Sequence, residues 1–231
     1  MEIKRTIIVI TMLLTALSGS YAQEAEPYFC VREGAVLEYE RRFTDGQVKW
    51  YHTMEIVGVE SLSESASVVE YTSHILNHKR RPYYGDEPAR LSASIDGGDV
   101  VLNVAESVAS VFRTLLPQKT KISSTGGESA LPSDMAPGDT LPDVYASVKA
   151  LGMTMKITVT QRRVLRYETI ATEAGTFDCI VVRERKVEKG MGRNRHTVAD
   201  TWYAKGVGMV RHDTHDKDME LQTSEILKNV K

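Results

Sequence analysis

Met153-Thr-Met-Lys-Ile-Thr-Val-Thr160 alternates strictly between apolar and polar residues, the period of two that a half-buried β-strand imposes. The rhythm breaks near Arg162-Arg163 and resumes through Leu165 and Tyr167. Gly175 interrupts it, and Thr176-Phe-Asp-Cys-Ile-Val-Val182 opens a second strand. Asp200-Thr-Trp-Tyr-Ala-Lys-Gly-Val-Gly-Met-Val210 supplies a third strand, a glycine turn and a fourth. Four strands in succession between residues 153 and 213 make a sheet the organising element of the chain.

The same pattern extends upstream. Leu37, Tyr39 and Phe43 share a face, and Asp45-Gly46 is a strong hairpin signal. The return strand sets Val48, Trp50, Met54 and Ile56 against Lys49, Tyr51, Thr53 and Glu55, with a bulge or bend expected at Gly58. Val69, Tyr71, Ser73 and Ile75 form a third strand that ends before Lys79-Arg80-Arg81-Pro82. Leu91 to Ile95 turns at Asp96-Gly97-Gly98 into Val100 to Val104. One helix follows over residues 104 to 116, with Asn103 as N-cap, Glu106 three residues on and Pro117 as the stop. Its apolar stripe, Val104, Val108, Val111, Phe112 and Leu115, requires a sheet face to cover it. Residues 117 to 142, rich in Pro, Gly, Ser and Thr, read as an irregular surface excursion or a lid. Met219, Leu221 and Thr223 begin a last strand.

Residues 1 to 22 carry the marks of a signal peptide: basic Lys4 and Arg5, an apolar run from Ile7 to Leu17, and Ser20-Tyr21-Ala22 as a cleavage site. The first cysteine, Cys30, lies beyond the expected cut, which argues against a lipid-anchored N-terminus. Removing Glu2, Lys4 and Arg5 from 29 basic and 31 acidic residues leaves 27 and 30, a formal charge of −3. So small a balance does not point to nucleic acid, an anionic membrane surface or a polyanionic partner, and nucleic acid is not an expected partner. No later segment is apolar enough for a transmembrane helix. Cys30 and Cys179 are an even pair in an oxidising compartment. They read either as a disulfide or as two small buried hydrophobes.

Chemistry-bearing clusters are sparse. His212, His215 and Asp216 are the metal-ligand candidates, but in a strand a spacing of three points the two histidines to opposite faces. His74 and His78 precede a basic run and Pro82-Tyr-Tyr84, a combination that suits an anionic or sugar-like ligand or, more simply, a solvated loop. Gly126-Gly127 and Gly206-Val-Gly208 lack the strand-to-helix context of a phosphate cradle. No catalytic motif or cofactor signature is present.

Ala174-Gly-Thr-Phe-Asp-Cys-Ile-Val-Val182 and Thr201-Trp-Tyr-Ala-Lys-Gly-Val-Gly-Met-Val210 resemble the TapB-like family of exported bacterial proteins of unknown function. In that family a G-x-F strand precedes a W-Y-x-x-x-V-G turn in a large antiparallel sheet. The Phe29 to Tyr39 stretch fits the pattern more loosely. The resemblance implies that Gly175, Phe177, Trp202, Tyr203, Val207 and Gly208 mark sheet geometry, and it implies no catalytic residue.

These readings predict one mainly β domain over residues 23 to 231. It is a single large, twisted, antiparallel sheet of about ten strands, half-barrel-like, with one amphipathic helix packed on its concave face. The expected protein is exported, soluble, periplasmic or extracellular, and non-catalytic. It would hold an apolar or amphipathic ligand, lipid-like or otherwise, between curved sheet and helix, under the 117–142 loop. Trp50, Met54, Phe112, Leu115, Met153, Met155 and Trp202 are the expected lining. The alternative is an interaction or structural module of the envelope, and third comes an enzyme without a recognisable motif.

Overall fold

The computed structural model describes residues 25–231, so the signal-peptide reading of residues 1 to 22 lies outside the described residues. The first half of the chain gives β1 (Val36–Phe43), β2 (Val48–Ser61), β3 (Ala66–Asn77), β4 (Ala89–Asp96), β5 (Asp99–Asn103) and helix α1 (Val104–Leu115). It continues with β6 (Ile122–Gly126), β7 (Glu128–Leu131), β8 (Val144–Ala150), β9 (Met153–Thr172) and β10 (Gly175–Gly190). β11 (Arg193–Ala204), β12 (Gly208–His215) and β13 (Leu221–Val230) complete it. The 153–213 stretch is β9 to β12, as its alternation requires.

All thirteen strands belong to one antiparallel sheet in the order β6-β8-β9-β10-β11-β12-β13-β1-β2-β3-β4-β5-β7. The count exceeds the expected ten because the 117–142 stretch is not a loop throughout: β6 and β7 lie inside it. Their Ser, Thr and Gly residues pair by backbone alone, as the two edges of the sheet. The sheet coils until these edges approach each other, with β7 lying beside β8.

A buried guanidinium fastens that seam. On β9, Met155, Ile157 and Val159 are buried at odd positions, whereas Arg162 and Val164 are buried at even ones. The switch of parity falls at Gln161, whose φ of 54° is left-handed, and the β9–β10 register slips there. Arg162 therefore points inward. It donates to Pro142 O at 2.9 Å, Ser129 Oγ at 3.0 Å and Ala130 O at 3.2 Å. Its Nε lies 3.4 Å from Glu184 Oε2, close enough for charge attraction but out of alignment for a hydrogen bond. Residues 138 to 141 extend the same seam along β9, through Gly138 N–H to Val164 O and Leu141 N–H to Arg162 O.

Helix α1 closes the rest of the wall. The Asn103 side chain caps it, accepting from Glu106 N–H at 2.8 Å. Glu106 does not complete a capping box. It reaches Arg113 and, at 2.8 Å, Ser124 Oγ of β6. The side turned to the sheet is smaller than the predicted stripe. Ala105 and Ala109 are fully buried against Val144, Ala146 and Val148 of β8 and Met155 and Ile157 of β9, with Val104, Val108 and Phe112 flanking. Small residues allow this close seating on the inner face, and Gly127 allows more. A Cβ there would meet Ala105 N at 2.6 Å, and its φ of +94° already favours glycine. On its other side Ser110 donates to Arg90 O of β4.

The segment before β1 crosses one end of the sheet. Gly206 N–H bonds Pro27 O at 2.8 Å, and Phe29 packs edge-on against Tyr71 with centroids 5.3 Å apart. Tyr28, Phe29 and Cys30 join the main core with Leu37, Ile56, Val69, Ile180, Val210 and Leu227. Cys30 and Cys179 are both buried there as free thiols rather than as a bridge. Burial, with Asp178 and Glu168 adding, pushes the Cys179 thiol up to about 12.

Two outcomes follow from this architecture. Arg162→Ala strands several acceptors and Glu184 in the seam, so the urea midpoint should drop by the equivalent of about 3–5 kcal/mol. Arg162→Lys should recover little, since an ammonium lacks the planar fork. In non-reducing mass spectrometry the protein should keep both thiol hydrogens, and iodoacetamide should modify Cys179 only after denaturation.

Candidate functional site

The inner face changes character along β1, β2, β10 and β13. Starting at the end crossed by residues 25–35, it runs Leu37, Tyr39, Arg41 on β1 and Ile56, Met54, His52, Trp50 on β2. It runs Ile180, Val182, Glu184, Lys186 on β10 and Leu227, Glu225, Thr223 on β13. Apolar gives way to polar at the same level in each, because the registers align them: Arg41 opposes Glu225, and His212 opposes both Glu225 and Thr201.

Glu225 is the centre of this polar layer. Arg41 donates to its Oε2 through Nε at 2.8 Å and NH2 at 2.7 Å, and His52 Nδ1 is 3.1 Å from its Oε1. His52 Nε2 lies 3.0 Å from Ser73 Oγ, and the His52 ring stacks on Tyr39 at 5.3 Å. Arg41 also reaches Thr214 and Thr223 Oγ1, and His212 Nδ1 is 2.8 Å from Thr201 Oγ1. Burial alone would raise the Glu225 carboxyl. The His52 hydrogen bond and the charges of His52, Arg41 and His212 instead hold it at about 2, so it stays anionic. Ser73, His52 and Glu225 thus stand in the order of nucleophile, base and orienting acid.

A second feature opens on the surface beyond that layer. A groove of about 740 Å³ runs between the β1–β2 hairpin and the end of β3, with Phe43, Lys49, Tyr51, Asn77, His78 and Tyr83 in its walls. Arg80 lies 4.0 Å over the Tyr51 ring, and Lys49 lies 5.3 Å from Phe43 and 4.6 Å from Trp50. Its volume falls in the range of small-ligand sites.

The seven residues expected to line one cavity are dispersed. Phe112 and Met155 meet in the cluster under the helix, and Met54 belongs to the main core. Leu115 and Met153 are 47% and 51% exposed. Trp50 lies under Arg41, and its Nε1 has no acceptor. Trp202 sits among charged side chains, 4.8 Å from Arg211, 5.9 Å from Arg166, and bonded to Glu168 at 3.1 Å. The metal candidates diverge as well: His212 pairs with Thr201, while Asp216 accepts the Asp218 and Glu220 N–H groups in the β12–β13 turn. Arg41, His52, Ser73 and Glu225 escaped sequence reasoning. The available signal was a charged or polar residue at an inward parity of a strand.

Acidification should expose this layer. Burial first, and the Arg41 charge second, lower the His212 pKa from 6.5 to about 4. Its contribution to stability is complete above 6.5 and is lost as pH falls toward 4. The contribution of Glu225 is lost lower, between 4.5 and about 2. Urea midpoints followed from pH 7.5 down to 3 should fall in two stages. The first is worth on the order of 3 kcal/mol and should be absent in His212→Asn.

Two solved structures share this architecture. A Bacteroides fragilis protein, described as exported and YmcC-like in fold, superposes with a TM-score of 0.72 at 18% identity, over 89% of this chain and 99% of that one. A Parabacteroides distasonis protein described as a lipoprotein gives 0.74 at 20% identity, over 90% of this chain and 100% of its own. At these identities the likeness is one of fold. Among curated proteins none matches the sequence significantly. The sequence profile of one family matches residues 32–227, nearly the whole coiled sheet, and the chain belongs to that family, the DUF3108-like family.

Proposed function

We propose that this chain is an exported, non-catalytic binding protein of the cell envelope that meets its ligand or partner at its surface. The observation that carries this reading is the seating of α1. Ala105 and Ala109 leave no exposed surface against β8 and β9, and the hollow beside the far end of the helix measures about 20 Å³, room for one water. Export fits the descriptions of both structural neighbours and the basic, apolar and small-residue order of residues 1 to 22. The narrower kinship with the TapB-like group, suggested by Gly175–Phe177 and Trp202–Gly208, is part of the same proposal.

The Ser73–His52–Glu225 chain supports scaffolding better than catalysis. Glu225 is already neutralised by Arg41, which weakens its pull on His52. Ser73 sits within the paired length of β3, flanked by Met54 of β2 and Ala89 of β4, so the strand amides around it are engaged in ladders rather than gathered as an oxyanion hole.

Native mass spectrometry of residues 23 to 231, purified from the export compartment without detergent, should show the bare chain. A lipid-like mass released by organic solvent would return the function to an apolar carrier between sheet and helix. A fluorophosphonate, which marks activated serines, should leave the folded protein unlabelled. Adduct formation at Ser73 that His52→Ala abolishes would make the protein an enzyme.

A further inference from the structure

We infer that the groove between the β1–β2 hairpin and the end of β3 is a binding site for an acidic saccharide. The inference rests on the surface-binding reading above and assigns that surface a place and a chemistry.

Three features converge there. Aromatic side chains stand open: Phe43 is 43% and Tyr83 46% exposed, and Tyr51 lies between them in the wall. Flat rings of this kind cover the apolar C–H faces of pyranoses. Tyr83 is braced rather than loose, edge-on to Trp50 at 5.6 Å and to Tyr84 at 5.1 Å. Beside the rings lie Gln47 and His78, suited to donate to and accept from hydroxyls, and the Asn77 amide nitrogen, which can donate.

The third feature is positive charge with no ion pair in the groove. Lys49 lines the groove, and Arg80 lies over the Tyr51 ring of its wall, near enough to Glu38 to feel its charge. Neither forms a salt bridge among the described residues, and no carboxylate lies in the lining. Burial, then the nearby Arg41 and Arg195 charges, lower the Lys49 pKa against an opposing pull from Glu225. Arg80 is held in place by its turn. The Asn77 side chain accepts the Lys79 and Arg81 N–H groups, Arg80 N–H bonds Asn77 O, and Arg80 takes a left-handed φ of 56°. That conformation is costly for a non-glycine residue, and here it sets the guanidinium over Tyr51 with the groove beside it. A local anion site of this size on a chain of near-neutral charge fits a small acidic ligand, not a nucleic acid or an anionic membrane.

The test is calorimetric titration of the mature chain with trigalacturonate, a hyaluronan oligosaccharide and oligosialic acid. Neutral maltotriose and inorganic phosphate serve as controls. At least one acidic sugar should bind, and both controls should bind at least tenfold more weakly. Tyr83→Ala, Lys49→Ala and Arg80→Ala should each weaken the acidic sugar about tenfold while thermal melting shows each variant folded. Lys49→Arg should keep most of the affinity. Failure of all three acidic sugars to bind, phosphate binding as tightly as they do, or variants that bind like the parent would each overturn the inference. A bare chain in native mass spectrometry alongside such a failure leaves surface binding standing and removes only this site. A retained lipid would instead remove the reading on which the site rests.

Discussion

The coiled sheet depends on a charge brought into its wall. β6 and β7, the strands that must meet for the sheet to close, are five and four residues long and carry few apolar side chains. Burial alone offers them little, and left apart they would be two open edges. Arg162 supplies directional bonds where hydrophobic contact is lacking. One planar fork reaches acceptors on β7 and on the strand-like segment before β8, while Glu184 balances the charge from β10. The helix depends on the same seam, because Gly127, between β6 and β7, accepts the Val104 N–H that starts α1. Bulge, arginine, seam and helix form one chain of dependence that begins at the left-handed Gln161.

The polar layer follows the same logic within the barrel. Arg41 and Glu225 are taken almost wholly from water, a cost that their mutual attraction offsets only when every remaining donor and acceptor is occupied. Thr214, Thr223, His52 and Ser73 occupy them. What such a layer contributes is register: a slip of one residue along β1 or β13 would turn Arg41 or Glu225 outward and leave its partner buried and alone.

Much of this fold is legible from residues alone, and the exceptions share a cause. Alternation reveals β9 through β12, Asp45-Gly46 marks its hairpin, Gly58 marks a bulge, and Asn103 caps the helix. These signals are local, each written within a few residues. β6 and β7 are hidden because their Ser-, Thr- and Gly-rich sequences look like loop and become strands only when β8 and β5 are present to pair. The helix stripe misleads for a related reason: the largest residues mark an amphipathic side, but the closest contact goes to the smallest, Ala105 and Ala109, where backbones must approach. The polar layer is the hardest to see. Its members come from β1, β2, β3 and β10 to β13, and only the assembled register sets them side by side.

The two ends of the coiled sheet then acquire different roles. At one end the segment from residue 25 to 35 lays Phe29 and Tyr28 across the core, and close-fitting glycines, Gly98 against Ala25 and Gly206 against Glu26, leave no room for larger side chains. Beside that segment lies a surface groove of about 370 Å³, lined by Val31, Val59, Ile95 and Gly98 among others. At the other end the inner face is already polar, so the transition to water is gradual, and the β1–β2 hairpin and the 78–88 connection are free to carry aromatic and cationic side chains that the core does not need. Phe43, Tyr83, Lys49 and Arg80 contribute little to closing the sheet and are nevertheless held in fixed geometry by stacking and by a strained turn. Order without a structural debt to the core is the property on which the proposed binding surface rests, and at that end stacking and the Arg80 turn supply it.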